Sequence, residues 1–253
     1  VVWAIVWSAF EAFMVLKEGH KVLIHAATGG VGLTAVRYAL ETGAGVFATA
    51  GRESKHQYLV EKMGLSAGHI TSSRNCALFK QQIEQALGGT EKLLDAVLNS
   101  LSHEDYIPIS LRLVKDDVGH FLEIGKRDIW TTEQMRSTRP RVQYHVIAVD
   151  HRMEQDPAWM SRVLTDLRNR VHDGDGLVQA LPVEAFELRT QCVAAFQHLQ
   201  RANHIGKVVL SISPSLAKTL DGNGSYIVTG GTGALGLLVG KWLVNRGAGH
   251  VVL

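Results

Sequence analysis

Residues 22–40, VLIHAATGGVGLTAVRYAL, constrain the fold of this chain more than any other stretch. A short apolar run, Val22-Leu23-Ile24, reads as a buried strand. It breaks at Thr28-Gly29-Gly30, and Val31, Ala35, Tyr38 and Ala39 then recur at helical spacing. Strand, glycine turn and helix open a dinucleotide-binding βαβ unit. Ala27-x-Gly29-x-x-Gly32 occupies its fingerprint positions, with alanine in place of the first glycine. Glycine lets backbone N–H groups approach a pyrophosphate, and lets the helix pack closely on the strand with its positive end toward the phosphates. The candidate cofactor contacts are therefore Ala27, Thr28, Gly29, Gly30, Val31 and Gly32. A glycine-rich turn that binds nothing fits the same letters, so the surroundings carry the argument.

Those surroundings alternate strand and helix. A helix over residues 1–17, ending near Gly19, precedes the first strand, and a second strand is expected at 45–50. Its end is where an adenosine ribose would lie. An NAD enzyme places an acidic residue there, whereas this chain has Arg52, Ser54 and Lys55, which suit the 2′-phosphate of NADPH. Glu53 dissents, and a solvated helix start explains the same charges. Helices are expected at 54–63, 76–87 and 103–114, with strands at 69–71, 93–98 and 120–124. Two-sided apolar strands between helices predict a parallel sheet covered on both faces. Asn99 and Ser100, then Gly125 and Lys126, fall at strand carboxyl ends, the edge where open α/β sheets bind ligands. A half-alternating strand is expected at 142–150, a helix at 156–172, a strand at 178–181, a helix at 190–201, and a closing strand over GKVVLSI. The Asp173-Gly174-Asp175-Gly176 loop has too few ligands for calcium.

Residues 213–224, SPSLAKTLDGNG, read as a linker. The strand–turn–helix signal then recurs in SYIVTGGTGALGLLVGKWLV, where Gly231, Gly233 and Gly236 take the three fingerprint positions. The abrupt start and end, without an initiating methionine, suggest part of a longer polypeptide. Two scattered cysteines, Cys76 and Cys192, argue against a disulfide framework or structural zinc, and favour a cytosolic setting. A formal charge of +2 gives no reason to expect nucleic acid, and no apolar run is long enough to span a bilayer. The histidines show no metal-ligand spacing.

HAATGGVG, VLNSLS, FLEIGKRDI and NHIGKVVL resemble the enoyl reductase domain of type I polyketide synthases and animal-type fatty acid synthases. That domain belongs to the zinc-independent branch of the medium-chain dehydrogenase/reductase superfamily. YIVTGGTGALG resembles the start of the ketoreductase domain that follows it. The resemblance implies an α/β fold: a doubly wound Rossmann domain with remnants of a substrate-binding barrel over 1–212, the linker at 213–224, and the first βαβ segment of a truncated ketoreductase over 225–253. It implies that NADPH delivers hydride to the β-carbon of an α,β-unsaturated acyl thioester on the phosphopantetheine arm of an acyl carrier protein. Further implied partners are the other domains of one synthase and a second copy in a homodimer. By resemblance, Lys126 and Asp150 are the catalytic candidates, with the lysine able to stabilise an enolate, or to donate a proton if burial lowers its pKa, and Asp150 able to hold it. A surface cation and a turn former are the plain alternatives. Arg52 stands where relatives often carry a small hydroxyl residue, and IAVDHRM replaces the aromatic residues usual around Asp150. Most of the family's substrate barrel precedes the position of Val1, so the chain alone is expected to bind NADPH weakly and to turn over nothing. A free-standing quinone or alkene reductase shares the AATGGVG turn, and a non-catalytic scaffold segment of a synthase is the alternative from another class.

Overall fold

A computed structural model describes residues 1–89, 93–174, 176, 178–212 and 220–253. The chain begins with α1 (Val2–Trp7), which runs into a π-helical turn over Ser8–Phe13. The helix expected to reach residue 17 thus ends at Phe13. The wide turn sets Phe10 against Tyr38, ring centroids 5.6 Å apart, and Phe13 against His145 at 4.4 Å. There follow β1 (Lys21–Ile24), α2 (Gly30–Glu41), β2 (Gly45–Ala50), α3 (Glu53–Glu61), β3 (Ile70–Ser72) and α4 (Cys76–Leu87). Asn75 caps α4 by accepting from Leu78 N at 2.8 Å, and Gly88 ends it in the left-handed region.

Next come β4 (Ala96–Asn99), α5 (Tyr106–Leu113), β5 (His120–Glu123), α6 (Thr132–Thr138) and β6 (Gln143–Val146). The fourth strand starts later than the apolar run suggested. Asp95 interrupts that run because its carboxylate accepts from Lys21 N at 2.8 Å and Lys115 Nζ at 2.7 Å. The sixth strand is also shorter than expected, stopping at Val146. Residues Val149–Gln155 form a helix, α7, so Asp150 sits in a first helical turn and not on a strand. The amphipathic helix α8 (Pro157–His172) is capped by Asp156, which accepts from Trp159 N at 3.0 Å.

The six strands pair in the order β3-β2-β1-β4-β5-β6, all parallel. Alternate residues of the central strands serve opposite faces. Val22, Ile24, Ala96, Leu98 and Leu122 pack with Trp3, Phe10, Leu33 and Val36 on one face. Leu23, Val97 and Phe121 pack with Phe79, Ile83, Tyr106 and Ile107 on the other. Both faces are dry, which is why these strands lack polar alternation. The order in which strands are added reverses between β1 and β4, and the loops after those strands flank the topological switch point.

Two compact units divide the chain: residues 1–184 with 203–207, and residues 185–202 with 208–253. No strand forms over the described residues 178–181, where one was expected. β7 (Val183–Glu187) follows instead, leading into α9 (Leu188–Gln200) and β8 (Lys207–Ser211). Pro182 lies just before β7, and its carbonyl accepts from Lys207 N at 2.9 Å. β7 and β8 form a two-stranded sheet that falls mostly in the second unit. Residues 213–219 of the expected linker lie outside the described residues. In the second unit, β9 (Ser225–Ile227), α10 (Ala234–Asn245) and β10 (His250–Val252) make a parallel βαβ segment.

Candidate cofactor and active site

The turn after β1 is built against its neighbours before any ligand is considered. Ala26 adopts a left-handed φ of 49°, fixed by its N–H on Thr49 Oγ1 at 2.9 Å and by Gly29 N on its carbonyl at 2.9 Å. Beneath it, His25 is buried, with Nε2 2.8 Å from Ser110 Oγ and Nδ1 3.3 Å from Thr49 Oγ1. Desolvation, with a smaller repulsion from His103, pushes its pKa down to about 3, so the ring is neutral. Ala27 and Thr28 are buried, and Ala27 takes part in the core.

Gly29 precedes α2 in extended geometry and offers no side-chain cap, so the first-turn N–H groups of a twelve-residue helix stay open to an anion. A Cβ on Gly32 would lie 2.5 Å from Ala26 O and 2.6 Å from Ala27 Cα, which accounts for glycine at the helix–strand contact. Gly30 answers to a different neighbour. A Cβ there would meet Lys207 Cε at 2.6 Å, because the side chain of Lys207 lies across the start of α2. The backbone brings it there: Gly206 N donates to Thr28 O at 2.8 Å, and Gly29 bridges Gly206 in parallel. Gly206 itself has φ 79° and no room for a side chain beside Pro182 O. The glycine cradle and the cation across it fit a dinucleotide pyrophosphate.

The end of β2 gathers positive charge. Arg52 precedes α3, Ser54 is exposed, and Lys55 is buried. Burial lowers the Lys55 pKa, repulsion from Arg74 and then Arg52 lowers it further, and Glu184 opposes the shift. Arg74 packs its guanidinium over Gly51, where a Cβ would lie 2.7 Å from Nε. Three cations around one strand end fit a 2′-phosphate, and Glu53 is exposed beside them.

At the far side of the switch point, Ser100 Oγ donates to His25 O at 3.5 Å, whereas Asn99 is fully buried. The Asn99 amide donates to Glu123 Oε2 at 2.6 Å, so its side chain serves the neighbouring strand and not the open edge. Gly125 N donates to Glu123 Oε1 at 2.6 Å, and a Cβ on Gly125 would lie 2.7 Å from that oxygen. Lys126 Nζ then donates to Asp150 Oδ2, an ion pair between side chains 67% and 60% exposed. Lys126 is therefore exposed, and the burial on which a proton-donor role was made conditional is not present. The hydrogen bond from Lys126 is the largest influence holding the Asp150 carboxyl below its ordinary range. A cleft of about 310 Å³ opens between the π-helical turn and α7, with Ser8, Phe13, Val149, His151 and Arg152 in its walls.

The structure thus brings Ala27 to Gly32, Ser100, Gly125, Lys126 and Asp150 to one edge of the first unit. Gly231, Gly233 and Gly236 form their own turn in the second unit. Sequence reasoning missed Lys207, Arg74 and Glu123. Lys207 and Glu123 stood in quoted motifs, and Arg74 follows the third strand by two residues; spacing gives no sign that any of them reaches the site. Among the described residues no cluster of three or more His, Cys, Asp or Glu is placed to hold a metal ion, so the donors for zinc are not present there.

A family model described as zinc-binding dehydrogenase matches residues 65–210, and one described as KR domain matches residues 224–253. The chain is 38% identical, over its whole length, to the protein named "Putative inactive phenolphthiocerol synthesis polyketide synthase type I Pks1" of Mycobacterium tuberculosis; the match spans 15% of that polypeptide. The CurK enoyl reductase superposes with a TM-score of 0.73 at 36% identity, covering 84% of this chain and 60% of that one. The CurF ER cyclopropanase from the curacin A biosynthetic pathway gives 0.75 at 30% identity, with the same coverage. The parallel sheet, its glycine turn and these matches agree, and the chain belongs to the zinc-binding dehydrogenase family, in the branch similar to polyketide synthase enoyl reductases and running into the start of a KR domain.

Proposed function

We propose that this chain is the cofactor-binding part of an NADPH-dependent enoyl reductase within a polyketide synthase. The observation that carries the reading is the shared edge on which the open glycine turn and the Lys126–Asp150 pair stand at the ends of parallel strands. Ala27 to Gly32 and Lys207 would hold the pyrophosphate, while Arg52, Ser54, Lys55 and Arg74 would hold the 2′-phosphate. A nicotinamide cofactor bound there would supply the hydride that the β-carbon of an α,β-unsaturated acyl thioester accepts. As that bond forms, the double-bond electrons move to the thioester oxygen, and a proton then adds at the α-carbon. Lys126, oriented by Asp150, presents a cationic N–H donor where negative charge develops. The substrate arrives on the phosphopantetheine arm of an acyl carrier protein in a cytosolic homodimeric synthase. Residues 1–212 form the reductase part, 213–224 the linker, and 225–253 the start of the ketoreductase, where Gly231, Gly233 and Gly236 serve that domain's own nucleotide.

The test is NADPH oxidation by the intact polypeptide with a crotonyl pantetheine thioester and, separately, a simple quinone. Thioester turnover without quinone turnover is expected. Lys126→Ala should then lower kcat on the order of 10- to 100-fold with a smaller change in NADPH affinity. Quinone turnover alone would overturn the carrier-linked reading, and equal losses in kcat and affinity would make Lys126 a cofactor-holding residue.

A further inference from the structure

Among the described residues, Glu123 is the one fully buried carboxylate, and the proposed reaction leaves it unused. It sits at the last position of β5 and accepts from a neighbouring strand and from a loop: Asn99 Nδ2 at the end of β4, and Gly125 N just after β5, both at 2.6 Å. Asn99 Oδ1 in turn accepts from Leu101 N at 3.3 Å. Burial raises the Glu123 pKa, and the two donors pull against that shift. From β6, Tyr144 is the titratable neighbour: its phenol, raised to about 12 by burial and then by Glu123, donates to Trp130 O at 2.7 Å. Lys126 and Asp150 stand exposed beyond Gly125, and Arg127 and Asp128 follow exposed in the same loop.

We infer that Glu123 is a positioning residue: its buried carboxylate ties the ends of β4 and β5 together and fixes the Gly125–Lys126 loop so that Lys126 meets Asp150. Gly125 is part of the same device, since any side chain would strike the carboxylate that holds its N–H. The inference rests on the proposed reaction only for its effect on turnover. The placement of Lys126 can be read without turnover, because Asp150 is held low first by the Lys126 hydrogen bond.

Donor and acceptor chemistry supplies the test. Glu123→Gln leaves one acceptor oxygen for two donors, so an amide N–H is turned toward either the Asn99 amide or Gly125 N. If Asn99 flips to accept, Leu101 N loses its own acceptor. Asn99→Asp instead sets two carboxyls face to face, so they must share a proton, and the loop is ordered at low pH and released as pH rises. The double exchange Asn99→Asp with Glu123→Gln satisfies every partner again. The carboxylate introduced on β4 accepts from Leu101 N and from the new amide on β5, whose oxygen still accepts from Gly125 N.

The experiment follows the Asp150 carboxyl by NMR titration and Gly125 amide exchange in the intact polypeptide, with kcat for the crotonyl thioester alongside. In Glu123→Gln we expect the Asp150 pKa to move up toward its ordinary range. Gly125 exchange should quicken and kcat should fall, each about tenfold, as for one lost buried hydrogen bond. The double exchange should return all three most of the way. Unchanged Asp150 and Gly125 in Glu123→Gln, or a double exchange no better than either single variant, overturns the inference. If Glu123→Gln does not fold, Asn99→Asp decides: Gly125 exchange independent of pH overturns it. A wild-type protein that leaves the thioester untouched defeats the proposed reaction, while the titration and exchange still judge Glu123.

Discussion

The chain contains two glycine turns whose internal geometry is nearly the same and whose surroundings are not. A Cβ on Gly32 would lie 2.5 Å from Ala26 O, and the equivalent atom on Gly236 would collide as closely with Gly230 O. Gly29 N donates to Ala26 O at 2.9 Å, and Gly233 N to Gly230 O at 3.0 Å. Around the first turn, a six-stranded sheet buries seven residues of α2, His25 locks the strand end, and Lys207 crosses the helix start. Around the second, two strands leave Leu235, Leu237, Leu238 and Trp242 of α10 exposed, and only Gly236 and Gly240 of that helix are buried. The turn is therefore a local object set by backbone hydrogen bonds and close contacts. Whether it is held firmly, and what charge faces it, depends on the packing around it.

The comparison can be broken most directly at the helix–strand contact. Gly32→Ala should destabilise the protein by up to about 3 kcal/mol, since overpacked backbone inside a closed core has nowhere to move. Gly236→Ala carries the same local clash, with Gly230 O and Gly231 Cα, and the difference between the two losses measures what packing beyond the turn adds. Urea unfolding of both variants checks this, and equal losses would mean that the surroundings add nothing.

His25 offers a pH test of the locked turn. Its pKa is about 3 when folded against 6.5 when exposed, so the unfolded chain binds the extra proton between those values. Stability should thus be unaffected by this group at neutral pH and fall as the pH drops below about 6.5, by about 1.4 kcal/mol per pH unit. His120 and His145, both lowered by burial, add in the same direction. Thr229 stands in the second turn where His25 stands in the first. His25→Thr should flatten the slope between pH 6.5 and about 5, and an unchanged slope in urea midpoints would assign it to other groups.

Lys207 separates the turns by charge. Lys207→Met should weaken NADPH and NADH alike, by about tenfold, as for one charge-assisted hydrogen bond. Arg74→Ala should weaken NADPH alone. Fluorescence titration with both nucleotides distinguishes them, and a Lys207 effect confined to NADPH would move that residue to the 2′-phosphate. The smallest change is expected at the left-handed position. Ala26→Gly relieves a φ of 49° but frees the unfolded chain, so the net gain should stay below about 1 kcal/mol. Gly230→Ala, at φ 69°, should lose a similar amount by thermal melting.

The alternation of strands and helices was legible in the sequence because strand and helix periodicities are local. The strand over Gly45–Ala50 and the helix over Cys76–Leu87 fall where the residues placed them. Errors arose where a long-range partner overrode a local pattern. Asp95 bends an apolar run by serving Lys21 and Lys115, and the chain turns helical at Val149 inside what read as a strand. The site divides in the same way. Spacing located the glycine turn and Lys126, but not the cation that crosses it from Lys207 or the carboxylate of Glu123 behind Gly125.

By itself the sequence determined the parallel α/β layout and the glycine turns, since alternation of buried strands with helices and the steric need for glycine depend on neighbours close in the chain. Only the tertiary structure decided which side chains share the ligand edge, that Asn99 faces Glu123 and that Lys126 stands exposed against Asp150. Those contacts join residues 24 positions apart, and strand register, which sets them, is fixed by packing on both faces of the sheet.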